Sequence, residues 1–164
     1  MRIMVLCHTR TKTASVLPIA DDKLRVLNRI EDTFFSACVE IEVTLPDLEV
    51  ISAKGKFERC FTDECKAAES LLQKAVGLRV GSGLTKLVDS LLAGAQGCPI
   101  VATLVFEACD AVILSLTAEQ MAMADALDEQ QRQDGFLQMV QMNPRLLNSC
   151  IAFDENGPLL KGKL

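Results

Sequence analysis

The chain has no tryptophan and no tyrosine, and only one histidine, His8. Stacking platforms for a nucleobase or a sugar would have to come from seven phenylalanines and that single imidazole. A lone histidine also removes most His-based metal sites and every His pair. Basic residues are the minority, 17 Lys+Arg against 22 Asp+Glu, and a net charge of −5 disfavours a phosphate-backbone binder. No signal-peptide hydrophobic segment fits between Met1 and the polar stretch His8-Thr9-Arg10-Thr11-Lys12. The longest apolar run, Pro99 to Leu116, carries Glu107 and Asp110 near its middle. A charge there costs about 2.5–3.5 kcal/mol at a bilayer centre, so no membrane span is expected. Neither CxxC nor CxxH occurs, which argues against a zinc ribbon or a thioredoxin-like site. Gly77 and Gly81-Ser82-Gly83 lack both GxGxxG spacing and a Walker lysine, so no phosphate loop is expected.

What is present is a globular composition: 164 residues, 49% apolar and 24% charged. A chain of this length holds one core and buries roughly 70% of its unfolded surface. Seven cysteines are an odd number, too sparse for a disulfide scaffold, and they imply free thiols in a reducing, cytoplasmic setting.

The pattern changes near Cys60. Before it, strands are expected over Arg2–Thr11 and Ser15–Ile19, with a turn at Asp21-Asp22. Ala37 to Leu45 alternates apolar and acidic residues with period two, the mark of a strand with one wet face. Pro46-Asp47 then turns the chain into a return strand over Leu48–Ala53. After Cys60 the period is helical. Thr62 is placed to cap a helix whose apolar face is Ala68, Leu71, Leu72, Ala75 and Val76, ended by Gly77. Leu84, Leu87, Val88, Leu91 and Leu92 form a short second helix closed by Gly94. Pro99 opens the longest helix, expected to reach about Arg132 and to break at Asp134-Gly135, with a last helical turn near Leu146–Cys150. Strands first and helices second predict an α+β fold. The expected form is an antiparallel sheet of three to five strands with helices packed on one face. One domain covers residues 1–164, divided into a β-rich meander over 1–60, a helical layer over 61–150 and a tail over 151–164.

The cysteine positions carry the clearest chemistry. Cys65 falls in the first turn of one expected helix and Cys98 at the start of another, where unpaired N–H groups and the dipole favour thiolate. Cys60 lies at the strand–helix junction and Cys38 in the preceding sheet pair. Cys7, Cys109 and Cys150 read as small core side chains. His8 reads as a sheet-face histidine, Glu107 and Asp110 as the wet stripe of a helix before an acid–base pair, and Lys54, Lys56 and Arg59 as a small basic cluster. Met121, Met123, Met139 and Met142 are packing material suited to a subunit contact.

Cys65-x-x-Ala68, Val76-Gly77-Leu78-Arg79-Val80, Gly94-x-x-Gly97-Cys98 and Asn148-Ser149-Cys150 resemble a bacterial family, domain of unknown function 2889 (DUF2889). The resemblance runs from His8-Thr9-Arg10 to about Pro158. It implies histidines after the second and third cysteines, where this chain has Ile100 and Ile151, hence a weakened version of any Cys/His site. More distantly, the order of sheet, Cys65 helix and Cys98 helix is similar to NifU/IscU-type iron–sulfur scaffold domains. That likeness implies Cys38, Cys65 and Cys98 as cofactor-binding residues. Its aspartate and histidine places hold Glu40 and Gly97 here.

Two functions are thus expected. One is a non-enzymatic thiol site, Cys65 and Cys98 with Cys38 or Cys60, for an iron–sulfur cluster, zinc or another thiophilic metal, or transferred sulfur. The other is a binding or assembly module whose cysteines are core and whose helix over residues 118–142 meets a second copy or a protein partner. An enzyme built on Glu107 or Asp110 comes third.

Overall fold

The computed structural model describes residues 8–81, 83–124, 128–142, 147–148 and 151–163. Strands β1 (Arg10–Ala20), β2 (Lys23–Asp32), β3 (Ser36–Thr44) and β4 (Val50–Arg59) form one antiparallel meander in the order β1-β2-β3-β4. A 3₁₀ helix (Asp63–Ala75) follows, then α1 (Leu84–Leu92), α2 (Pro99–Ala124) and α3 (Glu129–Met142). This is the expected α+β arrangement, with four strands. The chain divides into two compact units, Met1–Ser115 and Leu116–Leu164, with the boundary inside α2.

The first unit is built on the sheet. β1 begins at Arg10 and takes in the strand expected over Ser15–Ile19; of the strand expected over Arg2–Thr11, residues 2–7 lie outside the described residues, His8 and Thr9 precede β1, and Arg10 and Thr11 begin it. Almost all of β1 is exposed, so it has no apolar alternation to read. The Asp21-Asp22 turn stands, and it leads into β2, a strand the sequence reading passes over. Leu24, Val26 and Ile30 of β2 point into the core, but Asn28 and Asp32 share that register and are also buried. Each is satisfied there: Asn28 Nδ2 donates to the Leu104 carbonyl of α2 at 2.9 Å, and Asp32 accepts from the Phe34 and Phe35 amides. A buried polar group is tolerated only with such partners.

β3 alternates as expected. Ala37, Val39, Ile41 and Val43 are buried, while Cys38, Glu40 and Glu42 face outward. On that outer face Arg25 sits opposite Glu42, and Glu40 opposite Lys54, so opposite charges meet across strands.

The 3₁₀ helix lies against β4. Its buried side chains are Ala68, Leu72 and Ala75, with Val76 beyond its end and exposed rather than on the apolar face. Gly55 makes this approach possible, because a Cβ there would sit 2.5 Å from Leu72 Cδ1 and 2.8 Å from the Cys38 carbonyl. The helix also occupies the edge of β4: Glu69 accepts the Phe57 amide at 2.7 Å, and Gln73 donates to the Ala53 carbonyl at 3.0 Å. Covering an edge in this way removes a template for strand pairing. Gly77, at φ +89°, turns the chain out of the helix.

α1 buries Leu84, Val88 and Leu92 and leaves Leu87 and Leu91 exposed. α2 supplies Val101, Leu104, Val105, Ala108, Cys109 and Val112 to the core. Burying a Leu or Val of this kind contributes about 1.5–3 kcal/mol. Pro99–Ala118 is long and apolar enough to cross a membrane by composition, with mean hydropathy 1.9. Here its buried face is core, and Glu107 pairs with Lys12 of β1 at 2.6 Å.

In the second unit, Val140 of α3 and Leu160 are buried, and Lys163 Nζ donates to Gln133 Oε1 at 3.2 Å. Asp134-Gly135 does not break the chain; it lies inside α3. The expected turn near Leu146–Cys150 falls mostly outside the described residues, and a 3₁₀ turn occupies Ile151–Phe153.

Candidate thiol site

β4 ends at Arg59 and the chain reverses, with Cys65 N–H donating to the Thr62 carbonyl at 3.2 Å. Thr62 holds the N-cap position in extended backbone, φ −139° and ψ 163°, yet its side chain makes no capping bond. The hydroxyl instead lies 3.6 Å from Cys65 Sγ. The thiol of Cys60 donates to the Thr62 carbonyl at 3.1 Å. Two sulfurs thus contact two oxygens of one residue.

Their surroundings drive them apart chemically. The Thr62 hydroxyl, then backbone hydrogen bonding from Thr62 and Phe61, hold the Cys65 thiol below its ordinary value against partial burial and the Glu64 carboxylate. Burial first, then the neighbouring Cys65, Asp63 and Glu69, push Cys60 up. Cys65 is the readier thiolate, and Cys60 keeps its proton.

The facing wall is the loop between α1 and α2. Gly94, at φ +85°, ends α1, and Cys98 N–H returns to the Leu92 carbonyl at 2.7 Å. At Gly97 a Cβ would clash with the Leu92 and Ala93 carbonyl oxygens, so this close fold-back requires glycine. Cys98 is thereby fixed next to Pro99, and its carbonyl accepts the Ala102 amide at 3.0 Å. Cys65 and Cys98 line one open cleft of about 790 Å³, with Ala67, Ala68, Leu71 and Ile100 giving it apolar walls. The isoleucine after Cys98 is therefore part of the cleft surface, whereas Ile151 is 93% exposed.

A polar frame holds the mouth. Asp32 is buried at the β2–β3 turn, where it accepts the Phe34 and Phe35 amides at 2.7 and 2.6 Å and binds Arg10 through Nε and Nη2. Burial alone would raise its carboxyl; the Phe35 and Phe34 amides and Arg10 outweigh that and bring it down to about 2. Arg59 ties the end of β4 to the same turn through the Asp32 carbonyl and the Glu31 carboxylate. The turn presents Phe35 to the cleft and Phe34 outward, between His8 (stacked, centroids 6.1 Å apart) and Phe61 (edge-on, 6.0 Å).

The other sequence candidates lie elsewhere. Cys38 is on the outer sheet face, near Arg29, Glu58 and Glu40, and burial raises its thiol. Cys109 is core, pushed up to about 12 by burial. Cys7 and Cys150 lie outside the described residues, as do the side chains of Met121, Met123 and Met142; Met139 is half-buried on α3. Lys54 and Arg59 of the basic cluster face acidic partners, Glu40 and Glu31. Among the described residues no group of three or more His, Cys, Asp or Glu side chains is disposed to hold a metal ion. Structural zinc takes four ligands and iron–sulfur clusters take a set of thiolates. Of the described cysteines, the cleft lining holds two, Cys65 and Cys98.

Sequence reasoning located Cys65 and Cys98 through helix starts. It missed Thr62 as a thiol partner, since a threonine before a helix reads as a cap, and it missed the His8–Phe34–Phe61 strip, which only the meander brings together. No curated protein and no solved structure matches the chain. A family model described as "Protein of unknown function (DUF2889)" matches residues 19–113, more than half of the chain. The cleft lies wholly inside the matched segment, and the chain belongs to the DUF2889 family.

Proposed function

We propose that this is a non-enzymatic, thiol-based binding protein that captures a small thiophilic ligand, above all a sulfur-bearing group, between Cys65 and Cys98. The observation that carries the reading is that these two cysteines, from separate elements, line one apolar cleft. Cys65 supplies the thiolate, polarised by Thr62, and Cys98 the second sulfur contact. Apolar walls disfavour a strongly hydrated ligand and suit a soft one. The reading places the protein in the cytoplasm, where thiols stay reduced. A scaffold-like role would need Cys38 in the same shell, and its position on the outer sheet face speaks against that.

The test uses phenylarsine oxide, whose trivalent arsenic bridges two thiolates within reach of each other. The reduced protein should bind it in a one-to-one complex that is lost in both Cys65→Ser and Cys98→Ser and kept in Cys38→Ser. Binding that survives Cys98→Ser would remove Cys98 from the site. Iron, zinc and acid-labile sulfide measured on anaerobically purified protein test the metal alternative: stoichiometric metal lost in Cys65→Ser would replace the sulfur reading with a metal one.

A further inference from the structure

We infer that Cys60 and Cys65 form a redox-active dithiol that reduces low-molecular-weight disulfides by thiol–disulfide exchange. The inference shares Cys65 with the cleft reading but does not need Cys98.

Four observations support it. Both sulfurs contact Thr62, Cys60 Sγ at its carbonyl oxygen (3.1 Å) and Cys65 Sγ at its hydroxyl (3.6 Å). The i to i+3 bond from Cys65 N–H to the Thr62 carbonyl closes a turn over Thr62–Cys65, and the Cys60 thiol reaches that same carbonyl, so both cysteines are tied to one turn. The two sulfurs also have different surroundings: Cys60 is the donor in its contact with the Thr62 carbonyl, whereas the Thr62 hydroxyl beside Cys65 favours its thiolate. That is the polarisation exchange requires, one thiolate to attack and one thiol held in reserve. The site is open to solutes, since Phe61 between the cysteines is 72% exposed and Cys60 and Cys65 are only partly covered.

The reaction balances as follows. The Cys65 thiolate attacks one sulfur of a small disulfide RSSR, forming a protein–SR bond while the S–S bond of RSSR breaks and RS⁻ leaves to take a proton. Cys60 then loses its proton to solvent and attacks Cys65 Sγ, closing the Cys60–Cys65 bond and expelling the second RS⁻. The protein is oxidised by two electrons and the disulfide is reduced to two thiols. Closing the bond withdraws Cys65 from the cleft, so oxidation would also switch off ligand capture there.

Oxidised glutathione is the probe. The reduced full chain is incubated with it, the remaining thiols are alkylated, and the digest is mapped by mass spectrometry. Trypsin cuts after Arg59 and Lys66, so both cysteines fall in one peptide, Cys60-Phe61-Thr62-Asp63-Glu64-Cys65-Lys66. That peptide should appear unalkylated and lighter by two hydrogens. In Cys60→Ser, Cys65 should accumulate as a stable glutathione adduct, and in Cys65→Ser the reaction should slow at least roughly tenfold. Glutathionylated Cys65 beside an alkylated Cys60 in the wild type would overturn the proposal. So would a Cys65–Cys98 disulfide, which would at the same time favour the cleft. No reaction, with phenylarsine oxide still binding through Cys65 and Cys98, would sink the dithiol alone. Arsenical binding that requires Cys60 but not Cys98 would sink the cleft reading and leave the dithiol standing.

Discussion

The Thr62 hydroxyl lies 3.6 Å from the sulfur of Cys65 and makes no capping bond to the helix it precedes. An N-cap threonine is usually worth about 1 kcal/mol to its helix. Here that residue serves a thiol, so stability and reactivity should separate. Thr62→Val is expected to change the unfolding free energy by less than about 0.5 kcal/mol, since no capping bond is lost. It should slow iodoacetamide alkylation of Cys65 by at least roughly twofold at neutral pH, because a higher thiol pKa lowers the thiolate fraction faster than it raises nucleophilicity. The pH profile of alkylation should move to higher pH. Unchanged kinetics would show that the hydroxyl does not matter to the sulfur.

Asp32 should govern acid stability. Its carboxyl titrates near 2 in the folded chain against an ordinary 3.8, so the charged form is favoured by folding. Its contribution is complete above the unfolded value and is lost as pH falls through 3.8 toward 2. Asp32→Asn keeps an acceptor for the Phe34 and Phe35 amides but removes the charge facing Arg10. Melting curves of the two proteins should be well separated at about pH 6 and converge as the pH falls to about 2. A constant gap would assign the effect to shape and not to charge.

Two tether points between sheet and α2 should differ in weight. Lys12–Glu107 is about one-third exposed at each partner, so Lys12→Ala should cost less than about 1 kcal/mol and less still in high salt. Asn28→Ala removes a buried hydrogen bond to the Leu104 carbonyl together with packed volume beneath α2 and should cost about 1–3 kcal/mol, insensitive to salt. Urea unfolding at two salt concentrations separates them.

Gly55 should tolerate nothing larger. Gly55→Ala places a methyl against Leu72 and the Cys38 carbonyl and should cost about 1–3 kcal/mol. Leu72→Ala alone should cost about 2–5 kcal/mol. Because the new methyl would fill some of the space that Leu72 vacates, the double variant should lose less than the sum. Additive losses in denaturant unfolding would place the strain at the Cys38 carbonyl instead.

These residues also mark what the sequence could and could not disclose. β3 was legible because Glu40 and Glu42 alternate with Val39, Ile41 and Val43 and the outer face is wet. β2 was not, because Asn28 and Asp32 occupy core positions and look like turn residues until Leu104 and Arg10 are known to meet them. β1 lacks a period because it is exposed along nearly its whole length. Gly135 reads as a breaker, but an exposed glycine costs a helix only about 1 kcal/mol, and α3 continues through it. At the site, helix starts gave away Cys65 and Cys98. The pairing of Cys60 with Thr62 depends on a chain reversal that no local spacing announces.

The side chains of Glu69 and Gln73 along β4 have a consequence for how this sheet can misbehave. An incoming strand would need the Phe57 amide and the Ala53 carbonyl, and both are engaged. Fibril growth through that flank would first have to peel the 3₁₀ helix away, and with it Leu72 from the core. The barrier to self-templating on this side is therefore tied to global unfolding, so conditions that leave the core intact also keep the chain from polymerising through β4.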